Sequence, residues 1–148
     1  MPLSRPAKKS KTDKRKPSLG KVLLVEDDAI LAMSLEEALQ DGGASQVTVC
    51  SSMKATMEEL ESGNFDAIIL DVHLADRDDG WALAELVTML GPKPPRIVFS
   101  TGSPEDIPEE IAEMGPVFEK PYDSAQLVDV LRGDQKKGLF ARLRSAIR

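Results

Sequence analysis

The sequence predicts an α/β protein, a doubly wound parallel sheet with helices on both faces, and three observations carry that reading. Short apolar runs alternate with stretches of helical period from residue 21 to residue 132. The clearest runs, Val22-Leu23-Leu24-Val25 and Ile68-Ile69-Leu70, are apolar at consecutive positions, as strands covered on both faces must be. The joints between runs carry Gly, Pro, Asp and Ser, which stop one helix and cap the next.

Taken in order, the first strand is Val22–Val25. From Asp28 to Gln40, apolar residues fall at Ala32, Leu35, Ala38 and Leu39, a helical stripe that Asp41-Gly42-Gly43 ends. Gln46–Val49 reads as a weaker second strand, and Met53–Leu60 as a second helix capped by Ser51 or Ser52. Phe65–Leu70, ending in Asp71, is the third strand. A polar loop from Asp76 to Gly80 leads into a third helix through Trp81, Leu83, Leu86, Val87 and Leu90, closed by prolines. Ile97-Val98-Phe99 is the fourth strand. Ser103-Pro104 then reads as a cap with proline in the first turn of a helix around Ile107–Met114. Pro116–Glu119 is the fifth strand, and Leu127–Leu131 sits on a fifth helix capped by Asp123 or Ser124. This (βα)5 alternation predicts a flavodoxin-like sheet of order 2-1-3-4-5.

The 148 residues suit one domain with short flanking segments. Residues 1–20 read as a basic disordered tail, 21–132 as the folded domain and 133–148 as a basic amphipathic extension with Leu139, Phe140, Leu143 and Ile147 at helical spacing. The net charge of −6 conceals an acidic body: residues 21–131 hold 23 of the 25 acids but 6 of the 19 bases, a net of −17. Such a body repels nucleic acid, so no specific nucleic-acid partner is expected outside the flanks. No apolar run is long enough to span a membrane and no signal-peptide core follows the basic start, which predicts a cytoplasmic protein. One cysteine, Cys50, makes no intrachain disulfide and reads as a small strand residue.

In a doubly wound sheet, ligands gather beyond the carboxyl ends of the strands where the strand order reverses. Those ends carry Glu26 and Asp27 after strand one, Asp71 after strand three, Thr101 and Gly102 after strand four, and Lys120 with Pro121 after strand five. Three carboxylates in one cleft repel one another unless a cation sits among them, and an all-oxygen donor set suits Mg²⁺. A carboxylate nucleophile, a divalent cation, a hydroxyl, an open glycine and a lysine are the parts that take up a phosphoryl group as an aspartyl phosphate.

The motifs Val25-Glu26-Asp27-Asp28, Phe65-Asp66-Ala67-Ile68-Ile69-Leu70-Asp71, Phe99-Ser100-Thr101-Gly102 and Phe118-Glu119-Lys120-Pro121 resemble those of the receiver domain of two-component response regulators. The resemblance covers residues 21–131. It implies that Asp71 is the phosphoacceptor, that Asp27 binds Mg²⁺ directly and Glu26 through water, and that His73 offers its backbone carbonyl to the metal. It makes Thr101 the switch hydroxyl, with Gly102 beside it, Lys120 the phosphate-binding lysine and Lys120–Pro121 a cis peptide. It also implies a phosphoacceptor rather than an enzyme. The donor would be a histidine kinase or histidine phosphotransfer protein docking at Ile30, Leu31, Ser34 and Glu37 on the first helix. A downstream protein partner would read the helix 4–strand 5 face around Pro104–Val117. Phe-Ser-Thr-Gly is similar to a subfamily with Phe-Ala-Thr-Gly, and the chain as a whole is similar to single-domain response regulators. Val117 departs from the family, which often has an aromatic residue there, and Ala75 stands where proline is frequent.

Plainer readings stand beside these. Asp28 reads as a helix cap, Asp76, Asp78 and Asp79 as a solvated loop, and Trp81 as packing. A phosphate sink, or a phosphorylation-independent interaction module whose basic flanks bind nucleic acid or a membrane surface, is the alternative function.

Overall fold

The computed structural model describes residues 18–72 and 93–133. Five strands run through them: β1 (Gly20–Val25), β2 (Ala44–Cys50), β3 (Ala67–Asp71), β4 (Arg96–Thr101) and β5 (Val117–Glu119). The helices among these residues are α1 (Ala29–Asp41), α2 (Met53–Ser62), α3 (Glu109–Ala112) and α4 (Ser124–Arg132). Every strand pairing is parallel and the order is β2-β1-β3-β4-β5, the doubly wound arrangement that the alternation predicts.

Strand alternation divides the core into two layers. Val22, Leu24, Ala67, Ile69, Val98 and Phe118 face α1 and α4, meeting Leu35, Leu39, Leu127 and Leu131. Leu23, Val25, Ile68, Leu70, Ile97, Phe99 and Val117 face the other way, toward Leu60 of α2 and Ile111 of α3. Both faces being covered explains why β1, β3 and β4 carry unbroken apolar runs rather than alternating ones.

The helices begin where side chains replace missing backbone acceptors. Asp28 Oδ1 accepts from the N–H groups of Ile30 and Leu31 at 3.0 and 3.1 Å, so this acid is a cap, as its position before the stripe implies. Ser52 accepts from the Ala55 N–H at 3.1 Å and Asp123 from the Ala125 N–H at 3.0 Å.

Two expectations change. The tail was expected to reach residue 20, but Leu19 is fully buried in the α1/α4 layer and Gly20 already pairs with Ala44. Gly20 holds a positive φ of 75° and lies against Asp66, whose carboxylate accepts from the Lys21 N–H at 2.9 Å; a Cβ there would strike that carboxylate. The expected helix after β4 is broken into a 3-10 turn at Pro104–Asp106 and the one-turn α3. The cause is Pro108, which lacks an N–H and drives Ile107 into extended backbone at φ −80°, ψ 125°. Ser103 makes no side-chain cap. The N-terminal residues to 17, the loop and helix expected over 76–90, His73 and the C-terminal extension from 134 lie outside the described residues.

Candidate functional site

Register alone brings the strand ends together. Val25 and Leu70 are partners across β1 and β3, so Glu26 and Asp71, one residue later on each strand, emerge side by side. Asp71 is opposite Ser100 across β3 and β4, and Thr101 is opposite Glu119 across β4 and β5, which leaves Lys120 as the next residue out. Four of the five strands thus deliver polar side chains to one rim.

At that rim, Glu26, Asp27 and Asp71 each place a carboxylate oxygen within 4.8 Å of the others. Glu26 and Asp71 are buried, and Asp27 is exposed at the mouth. Lys120 Nζ donates to Asp71 Oδ2 and to Glu26 Oε2, both at 3.2 Å. Glu26 Oε2 also accepts from the Asp28 N–H at 3.0 Å. Glu26 Oε1 lies 3.1 Å from the same ammonium, outside hydrogen-bonding geometry, and this buried oxygen has no hydrogen-bond partner among the described residues. It is an ion-pair contact only.

One ammonium stands among three acids at this rim. Burial raises the Glu26 carboxyl above its usual range, and the nearby Asp71 charge adds to this despite the bonds from Asp28 and Lys120. Burial alone would lower the Lys120 pKa; Asp71 and Glu26 outweigh it and raise it, so the ammonium is held charged. A buried oxygen without a hydrogen bond, in an all-carboxylate set with one member open to solvent, fits a hard divalent cation. Glu26, Asp27 and Asp71 are the residues that could hold it.

Beside the acids stand the hydroxyl and the glycine. Thr101 is fully buried and its Oγ accepts from the Ser103 N–H at 3.0 Å, a bond that leaves its own proton free to donate. Gly102 is exposed, with open space where a side chain would stand. The Lys120–Pro121 peptide is cis. Of the α1 surface residues, Ile30, Ser34 and Glu37 are exposed, while Leu31 is partly buried against the α1/α4 layer. Met33, also exposed, extends that patch. Cys50 is buried at the end of β2, and burial, with Glu59 nearby, raises its thiol pKa.

Sequence reading missed one pair at the rim. Ser100 Oγ and the Tyr122 hydroxyl are 2.7 Å apart, and the Tyr122 ring meets Phe118 edge-on at 5.5 Å. The available signals were a hydroxyl inside Phe-Ser-Thr-Gly and an aromatic residue two positions after Lys120.

A family model described as the response regulator receiver domain matches residues 22–132. The chain belongs to that family. This receiver resembles the receiver domain (CheY-like) from Methylobacillus flagellatus at 28% identity, covering 80% of this chain and 100% of that one with a TM-score of 0.68. The receiver domain of a sensor histidine kinase from Pseudomonas aeruginosa, solved with magnesium in its active-site cleft, is 25% identical and covers 76% of this chain and 93% of that one, with a TM-score of 0.63. A Burkholderia pseudomallei response regulator solved with a phosphorylated aspartic acid, a calcium ion and citrate shares the fold at 19% identity, covering 86% and 74% of the two chains with a TM-score of 0.66. No curated protein matches this receiver. None of its described helices is long and apolar enough to cross a membrane.

Proposed function

We propose that this receiver accepts a phosphoryl group on Asp71 from a histidine kinase or a histidine phosphotransfer protein, with Mg²⁺ as cofactor, and signals through a partner protein. The observation that carries the reading is the convergence of Glu26, Asp27 and Asp71 within 4.8 Å, with Lys120 Nζ 3.2 Å from Asp71 Oδ2. The solved relatives with magnesium and with a phosphorylated aspartate support it.

Each residue has a task set by its place. Asp71 offers a carboxylate oxygen as nucleophile, buried at the end of β3 behind the exposed Asp27, and Gly102 at the end of β4 leaves open space where a side chain would stand. Glu26, Asp27 and Asp71, with the backbone carbonyl of His73, would hold the metal, which when bound offsets the negative charge on the phosphoryl oxygens. Lys120 supplies a second fixed positive charge and exchanges its bond to Asp71 for one to the phosphoryl group. Thr101 donates its free proton to a phosphoryl oxygen. To do so it turns inward and gives up the Ser103 N–H, which shifts the Pro104–Val117 face that a downstream partner reads. Ile30, Leu31, Ser34 and Glu37 form the donor-docking surface, beside the cleft on α1.

Incubation with acetyl phosphate and Mg²⁺ tests the chemistry by mass spectrometry. An adduct of one phosphoryl group is expected on the wild type, and none without Mg²⁺ or on Asp71→Asn. A wild type that stays unmodified under conditions where it is folded overturns the proposal.

A further inference from the structure

Lys120 must keep its place while its ammonium changes partners, and the structure shows how little of the backbone holds it. Its N–H donates to Thr101 O at 2.8 Å, the final bond of the β4–β5 ladder. Pro121 follows, exposed and without an N–H to donate. Two residues after the lysine, a side-chain contact ties the segment back to β4, between the Tyr122 hydroxyl and Ser100 Oγ at 2.7 Å. Ser100 is fully buried, and Phe118 braces the Tyr122 ring edge-on. Lys120 is therefore bracketed by two contacts to successive residues of one strand, Thr101 on one side and Ser100 on the other. Val117, the buried residue three positions before the lysine, is aliphatic and offers no polar group to either of them.

We propose that the Ser100–Tyr122 hydroxyl pair positions Lys120, anchoring the segment that carries its ammonium to the end of β4 and so setting how fast Asp71 takes up a phosphoryl group. The inference rests on Asp71 being the phosphoacceptor. Ser100 and Tyr122 act through Lys120 and are positioning residues. Burial raises the Tyr122 hydroxyl pKa above its usual value, against the opposing effect of the Ser100 bond, so the phenol stays protonated and able to bond at neutral pH. In the step concerned, an Asp71 carboxylate oxygen forms the new bond to phosphorus. The donor's bond to phosphorus breaks, and its electron pair leaves on the donor, as acetate when acetyl phosphate is used. Lys120 meets the oxygens of the group in flight, so a displaced ammonium slows the step.

The test measures the rate of phosphoryl incorporation from acetyl phosphate with Mg²⁺, by intact mass, on the wild type, Ser100→Ala, Tyr122→Phe, the double variant and Ser100→Thr. Circular dichroism and thermal midpoints are recorded alongside. Each single change is expected to slow uptake about two- to tenfold, the range that loss of one neutral hydrogen bond gives. The double variant is expected to be no slower than the slower single one, and Ser100→Thr, which keeps the hydroxyl, to stay near wild type. Tyr122→Phe removes one oxygen from a half-buried ring, so it carries the test if Ser100→Ala does not fold. Lowered midpoints with wild-type rates, or effects that multiply in the double variant, overturn the inference and leave the phosphoacceptor reading standing. A wild type that takes up no phosphoryl group overturns both.

Discussion

Glu26 shows how a single buried side chain can cost stability for the sake of a site. Its folded pKa lies above the ordinary 4.5, so between those two values the folded protein binds more protons than the unfolded chain. In metal-free protein, the Glu26 contribution to stability is therefore fully present below pH 4.5 and is lost as pH rises through the raised value. Glu26→Gln is expected to flatten that part of the profile, measured as urea midpoints from pH 4.5 to 7 without divalent ions. A variant profile parallel to wild type would show that Glu26 is not its source. At this scale, the convergence of these side chains was legible because strand ends can be read from the sequence: Glu26 and Asp71 directly follow an apolar run, and Thr101 and Lys120 each stand two residues after the last apolar residue of one. The Ser100–Tyr122 bond was not, because it depends on how two side chains 22 positions apart are aimed, and no periodicity encodes that.

Among the elements, those with an apolar stripe and a cap were legible, and the errors fell where a boundary rested on a single residue. Leu19 was assigned to the tail because the residues before it are basic and polar, yet it fills a place under α1 and α4. Leu19→Ala is expected to cost about 2–5 kcal/mol in denaturant unfolding, as for other fully buried leucines; a cost near zero would return residues 18–20 to the tail. Asp123→Ala, which removes the cap of α4, is expected to cost about 1 kcal/mol by the same measurement. Pro104 was read correctly as a starter. Pro108 carried the opposite message four residues on, and it prevailed, because a proline constrains the residue before it as well as itself.

For the whole molecule, the decisive quantity is the charge of the chain between its two basic flanks, −17 over residues 21–131. Much of that charge is spread over solvated helix faces, but three carboxylates are concentrated at one rim of the sheet. A cation that binds there only in the folded state stabilises the fold by mass action, by about 2.7 kcal/mol at a hundred times its dissociation constant. Raising Mg²⁺ is therefore expected to raise the thermal midpoint of the wild type, and to do so far less for Asp27→Asn. An equal rise in both would assign the effect to general screening of the acidic surface. The parallel order was legible at this scale from the βα alternation and connection rules, which leave few topologies open.

The break at Pro108 has a dynamic consequence. Between the ends of β4 and β5, the chain is pinned to the sheet by Ile107 and Ile111 alone among fully buried side chains. A stretch with so few anchors and so short a helix opens at low free energy, so its amides should exchange with deuterium well before those of β1 and β3. Under the proposed function, this is the face that is rebuilt when Thr101 turns, while the central strands keep the carboxylates in place.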